Sequence, residues 1–301
     1  MFDTVRLRTS GFTLNGSIIN QYKNNQMIYY DNETMTESTR YIIQDVANIP
    51  HMRYYDKFCT LEIEVSIPKY LYGDNVRMVG QAEIDRFFTL LHKQLYSLFG
   101  IQVRSKKEWK CLRVDACWNF RVGKQIHDYM RQLAMMRLPR MNTVVYNQVE
   151  TVIFQNKSNR IMFYDKECEC RKKKCAEDVI ERAAGTLRLE ISPPVYKMKE
   201  YANGRTAEDL LTEEYFRYVM NGVLPLLRFT MPDEFPSEWI KSHPISQIET
   251  ALGFIHLYRR FGEGGLKQLF KASTLRNRMA LVQNIIETES LPPLQIDLTA
   301  V

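Results

Sequence analysis

Thr60-Leu61-Glu62-Ile63-Glu64-Val65-Ser66 alternates apolar and polar side chains without a break. Successive residues of a strand point to opposite faces, so this stretch predicts a β-strand. Leu61, Ile63 and Val65 take one face, and Glu62, Glu64 and Ser66 the other. Downstream the period changes: Ile84, Phe87, Phe88, Leu91, Leu95 and Leu98 recur at helical spacing. Alternation returns in Leu112–Phe120, where Leu112, Val114, Ala116, Trp118 and Phe120 oppose Arg113, Asp115, Cys117 and Asn119.

A helix around Gln125–Met136 follows, then strands near Thr143–Phe154 and Asn159–Lys166. A short helix around Glu177–Ala184 leads into a strand at Thr186–Ser192, where Leu187, Leu189 and Ile191 oppose Arg188, Glu190 and Ser192. The opening residues, Met1–Leu14, also alternate. Strands separated by helices, each with one apolar face, predict an α+β fold. It is an antiparallel-rich sheet with helices on one face, in a ferredoxin-like or RRM-like arrangement, and an open polar face on the other side.

From about residue 198 the pattern is helical, and Pro193-Pro194 lies just before the change. Two domains are expected, 1–197 and 198–301. In the second, Ile248–Arg260 reads as an amphipathic helix that Phe261-Gly262-Glu263-Gly264-Gly265 should break. Leu266–Lys271 then reads as a short helix, and Ser273 or Thr274 caps another to about Ile286. Two short helices across a turn, with Arg276 and Arg278 early in the second, fit a helix-turn-helix; a plain helical bundle fits the same pattern.

The chain has 301 residues and a formal charge of +6, which permits a nucleic-acid partner without requiring one. No apolar run is long enough to span a bilayer, and the first residues lack the core of a signal peptide. A cytoplasmic protein with reduced thiols and no membrane partner is expected. The three closest of six cysteines, Cys168, Cys170 and Cys175, lack the spacing of a zinc site and have no nearby histidine.

The polar face should carry Glu62, Asp115 and Glu190 from three strands. Gathered together, carboxylates suit a hard divalent cation, Mg²⁺ or Mn²⁺; dispersed, they are a solvated charged surface. Alternation sets the face and not the separation. Tyr164 and Lys166, two residues apart, should share a face. Tyr164 is one of 17 tyrosines. A phenol of pKa near 10 is roughly 0.1% ionised at neutral pH, a cost of about 4 kcal/mol for attack as phenolate. An adjacent ammonium and a metal-bound phosphate would both reduce it. The run Arg171-Lys172-Lys173-Lys174 is either a seat for a DNA backbone or a solvated basic turn.

Five stretches in order resemble the phage and plasmid replication proteins of the gene II/gene X type, and more distantly the Rep_trans-type plasmid initiators. They are Met1–Arg8; Leu61–Ser66 with Pro68-Lys69 and Gly73–Val76; Arg113-Val114-Asp115; Asn159–Lys166; and Gly185–Glu190. The resemblance covers roughly residues 1–196. It implies a rolling-circle initiator in which Tyr164 is the nucleophile, forming a 5′-phosphotyrosyl link, and Lys166 its basic companion. Glu62, Asp115 and Glu190 become the ligands of Mg²⁺ or Mn²⁺. Arg113 and Arg188 contact the phosphate or orient the carboxylates, and Arg160 is a further DNA contact. Apart from the resemblance, Arg171, Lys172, Lys173 and Lys174, and Arg276 and Arg278 of the helical segment, are expected DNA contacts. Origin DNA, duplex and single-stranded, would be the substrate, with a host helicase and polymerase as partners. None of the five histidines forms the His–apolar–His pair used by many rolling-circle enzymes, which agrees with a carboxylate site. One rival is a non-enzymatic origin-binding or copy-control protein. Another, an RRM-like RNA binder, would need aromatics on the open face, where Glu, Asp, Arg and Lys are expected instead.

Overall fold

A computed structural model of the chain describes residues 1–14, 16–22, 24–31, 36–46, 48–103, 105–227, 237–289, 291 and 294–298. Its strands are β1 (Phe2–Ser10), β2 (Asn24–Asp31), β3 (Thr36–Val46), β4 (Ile49–Tyr55), β5 (Thr60–Ser66), β6 (Lys110–Arg121), β7 (Asn142–Tyr146), β8 (Thr151–Gln155), β9 (Arg160–Asp165) and β10 (Thr186–Ser192). They form one ten-stranded sheet in the order β2-β3-β4-β5-β1-β6-β10-β9-β8-β7. Each neighbouring pair is antiparallel.

The helices used below are α1 (Ile67–Tyr72), α2 (Gln81–Phe99), α3 (Ile126–Met135), α4 (Lys166–Lys172), α5 (Glu177–Ala183), α6 (Glu213–Asn221), α7 (Ile245–Leu269) and α8 (Ala272–Glu289). The apolar side of the sheet is the core. Val5, Leu7, Leu61, Ile63, Val114, Leu187, Leu189 and Phe163 are at most 1% exposed. α2 buries Ile84, Phe87, Phe88, Leu91 and Leu95, as its spacing predicts, with Phe99 rather than Leu98 completing the stripe. Phe216 of α6 meets Phe2 at 6.0 Å and Trp118 at 5.8 Å between ring centroids. The helices just past residue 197 therefore pack on the sheet, and the first compact unit runs through residue 227, with 294–301, instead of stopping near 197.

The polar face is only partly open, contrary to expectation. Asp165 ends β9 and caps α4, its carboxylate accepting from the Cys168 amide at 3.0 Å. The helix pair α4–α5 then lies over this face, where Cys170, Ile180 and Ala183 enclose Val76. The Asn119 side chain on the same face donates to the Val76 carbonyl at 2.8 Å. The segment 143–154 is two strands separated by a turn, with Asn147, Gln148 and Val149 all at positive φ.

The second unit spans residues 228–293. Ala251, Phe254, Ile255, Leu266 and Val282 are its core. α7 runs unbroken through the glycines that the sequence pattern predicts as its end. A Cβ at Gly265 would sit 2.7 Å from Phe261 Cβ, so glycine there makes room for Phe261. Its helix-propensity cost of about 1 kcal/mol is small beside the burial of Phe254 and Leu266. The short helix Leu266–Lys271 does not exist separately, so the two-short-helix motif is not formed. Arg276 is exposed on α8, and the Arg278 guanidinium lies 4.7 Å from the centre of the Phe270 ring.

Candidate active site

β9, β10, β6 and β1 lie side by side and bring their polar residues to one end of the sheet. Tyr164 pairs with Arg188 across β9–β10, and Glu190 lies two residues along the same face. The Tyr164 hydroxyl donates to Glu190 Oε1 at 2.6 Å. Arg188 Nε donates to that oxygen from 2.9 Å. Among the described residues, Glu190 Oε2 has no hydrogen-bond partner.

Arg188 is fully buried. Its Nη2 donates to Asp3 Oδ2 at 2.9 Å, and its Nη1 to the Asn75 carbonyl at 2.8 Å and Asn119 Oδ1 at 3.2 Å. Of the two roles expected for Arg188, contacting a phosphate or orienting carboxylates, burial at this depth leaves it the second. It is the cation that holds Asp3 and Glu190 together. Asp3 is there because of a bulge. Phe2 pairs with Ala116 but Val5 with Val114, so β1 carries one extra residue between them. That residue puts Asp3 on the polar face out of step with the alternation, which hid it from the sequence. Burial alone would raise the Asp3 pKa, but Arg188, Ser66 and Asn75 outweigh it and hold the carboxyl below its ordinary range. Ser66 Oγ donates to Asp3 Oδ1 at 2.5 Å and Asn75 Nδ2 to Oδ2 at 3.1 Å.

Lys166 is the first residue of α4 and not the last of the strand, yet it is still beside Tyr164. It is fully buried, with its ammonium 5.5 Å from the centre of the Tyr164 ring. Nζ donates to Glu169 Oε2 at 2.6 Å and Asn75 Oδ1 at 2.9 Å. Tyr164 is 6% exposed. Burial is the main reason its phenol pKa stands well above 10; the Arg188 charge works the other way, and Glu190 and Glu169 reinforce burial.

Tyr164 and Glu190 form part of the wall of a cavity of about 440 Å³. Asp3, Ser66, Lys69 and Asn75 line one side of it, Asn147, Glu150 and Thr151 another, and Glu169, Lys172 and Lys173 of the α4 segment a third.

The three carboxylates read as metal ligands do not all meet. Arg8 pairs with Glu62 on one side and Lys110 on the other. Lys110 lies several residues before Asp115, so at about 3.4 Å per residue Glu62 is on the order of 15 Å from Asp115 along the sheet. Arg8 holds Glu62. Arg113 holds Asp115 at 2.6 Å and also reaches Glu64 at 3.3 Å. Ser192 Oγ donates to Asp115 at 2.7 Å. Burial nonetheless raises the Asp115 pKa to about 6, against the opposing pull of Arg113 and Ser192. Among the described residues, no three of His, Cys, Asp or Glu converge as a metal cage. Mg²⁺, however, is commonly held by one or two carboxylates plus substrate phosphates, and the free Glu190 Oε2 fits that mode.

Of the other basic residues expected at DNA, Arg160 is exposed at the start of β9. Arg171 pairs with Glu167 at 2.9 Å, Lys172 with Glu150 and Lys173 with Glu169. Lys174 is exposed at a positive φ of 53° just beyond α4.

A family model described as the N-terminal part of a phage gene II replication-associated protein matches residues 1–206. The chain belongs to that family. The matched span of this replication-associated protein contains Asp3, Asn75, Arg188, Glu190 and Tyr164, and ends before α6. No curated protein matches the chain. Among the described residues no helix is long and apolar enough to cross a membrane.

Proposed function

We propose that this replication protein is a rolling-circle initiator that nicks and rejoins origin DNA through Tyr164. The observation that carries the reading is the Tyr164–Glu190 hydrogen bond of 2.6 Å on the wall of a cavity. A buried phenol is a poor nucleophile until its proton has somewhere to go, and Glu190 Oε1 is in place to take it. Tyr164 Oη attacks the scissile phosphorus, the proton moves to Glu190, and the bond to the 3′ oxygen breaks. The departing oxygen takes up a proton and becomes a free 3′-hydroxyl, while the phosphate stays on Tyr164 as a 5′ diester. Arg188 orients Glu190, and the Lys166 ammonium beside the ring favours the charge that develops on the phenol oxygen.

Glu190 Oε2 would hold a Mg²⁺ or Mn²⁺ ion carried in with the strand, which when bound would polarise the scissile phosphate. The tyrosyl diester conserves the phosphodiester energy, so attack by a later 3′-hydroxyl reverses the step and closes a circle. A host polymerase would extend the freed 3′ end behind a host helicase. The face bearing Arg113 and the α4 lysines would track the strand, with Arg160 at its margin, and Arg276 and Arg278 of the second unit would meet duplex origin DNA.

The test is to incubate the protein with a single-stranded origin oligonucleotide and Mg²⁺ or Mn²⁺, then separate the products under denaturing conditions. A covalent adduct that is lost in Tyr164→Phe and in EDTA is expected. Binding without any adduct would instead favour a non-enzymatic origin-binding protein.

A further inference from the structure

The cavity beside Tyr164 is lined by Asp3, Glu150, Glu169 and Glu190, so a phosphodiester entering it meets carboxylates as well as cations. The lysines around α4 are already committed to these carboxylates: Lys172 is paired with Glu150, and Lys173 and the buried Lys166 with Glu169. Lys69 stands on the same cavity wall in a different state. It is exposed, and its ammonium makes no hydrogen bond or ion pair with any described residue. Its backbone is nevertheless fixed. The Gly73 amide closes α1 by donating to the Lys69 carbonyl at 2.8 Å, with Gly73 at a φ of +82°. The chain then runs directly to Asn75, which bonds both Asp3 and Lys166. An unpaired cation is thus anchored to the turn that organises the nucleophile.

We propose that Lys69 is a phosphate-binding residue for single-stranded DNA, taking the diester that enters the cavity beside Tyr164. The proposal rests on the nicking reading for the identity of the ligand. Its logic is that an ammonium not already neutralised releases a counterion on binding phosphate, whereas a lysine committed to a carboxylate must first give up that partner. A long, exposed side chain on the cavity wall can also follow the phosphate as the strand settles.

The experiment uses full-length Tyr164→Phe protein, which cannot form the adduct, and a fluorescent single-stranded oligonucleotide titrated at several NaCl concentrations. Adding Lys69→Ala is expected to weaken binding about 3- to 10-fold at moderate salt. It should also make the plot of log K against log salt shallower by about 0.7, the value for one lost phosphate contact on a single strand. Lys69→Arg should restore the slope. Lys93→Ala, at an exposed lysine of α2, should leave both quantities unchanged. An unchanged slope in Lys69→Ala, or an equal fall in Lys93→Ala, would overturn the proposal. Adduct formation by protein with Tyr164 intact is scored separately. Its absence would sink the nucleophile and leave the Lys69 comparison readable, whereas an adduct together with an unchanged slope would sink Lys69 alone.

Discussion

Tyr164 and Arg188 donate to the same oxygen of Glu190, the phenol from 2.6 Å and the guanidinium from 2.9 Å. The two donors sit opposite each other across β9 and β10. One carboxylate oxygen therefore fixes the Tyr164 hydroxyl, and the buried Arg188 guanidinium behind it fixes that carboxylate. Under the proposed mechanism this arrangement lets a tyrosine 6% exposed serve as the reactive group. Its proton is placed before substrate arrives, so it need not be ionised in the resting site.

If Glu190 takes that proton, Glu190→Gln should slow single-turnover adduct formation by about 10²- to 10⁴-fold, the usual span for one general base. Binding of single-stranded DNA should change little. Rapid-quench kinetics against the binding curve separate the two effects; a variant with unimpaired chemistry would remove Glu190 from the proton path.

Arg188→Met should leave the buried Asp3 and the partly buried Glu190 without their cation. Breaking a buried charge cluster in this way costs about 3–5 kcal/mol. Urea unfolding of the variant should show a loss of that order. A loss below about 1 kcal/mol would mean that the carboxylates had found other compensation.

Asp115 gives a pH signature. Its folded pKa, pushed by burial to about 6, lies above the ordinary 3.8. A raised carboxyl pKa means that the folded state prefers the protonated form. That contribution to stability is complete below pH 3.8 and is lost as pH rises through 6. Asp115→Asn, neutral throughout, should therefore gain on the parent protein between about pH 4 and 7 by up to about 3 kcal/mol. Denaturant midpoints in EDTA at the two pH values measure it; a parallel response of the two proteins would contradict the shift.

Gly185 opens β10 at a φ of +62°, and a Cβ there would lie 2.8 Å from Gly123 Cα. The Val122 and Gly123 amides both donate to the Gly185 carbonyl, at 3.1 and 3.0 Å. Gly185→Ala combines a left-handed backbone with a backbone clash and should cost about 2 kcal/mol or more. Thermal unfolding reads the loss, and a neutral substitution would show that the β6–β10 junction can spread.

Much of this was legible because period-two alternation is a strong signal wherever one face is buried. β5, β6 and β10 could be read in that way, and with them the shared face of Arg188 and Glu190. β2 could not, because Met27, Ile28, Tyr29 and Tyr30 are all exposed and no buried face imposes a pattern. Alternation was also silent on distance, so Glu62 was grouped with carboxylates far along the sheet. A one-residue bulge concealed Asp3, and a helix cap moved Lys166 off its strand without moving it from Tyr164. Asn75 lies in a turn with no periodicity. Its importance arises from contacts to Asp3, Lys166 and Arg188, all distant in sequence, which no local pattern encodes.

A covalent role for Tyr164 is tested by locating the residue to which the DNA is attached. The adduct formed on an origin oligonucleotide is digested with nuclease and trypsin, and the peptide carrying the residual nucleotide is sequenced by mass spectrometry. The expected result is a nucleotide phosphate on Tyr164 within the fragment Ile161–Lys166. Attachment at any other residue would contradict the account.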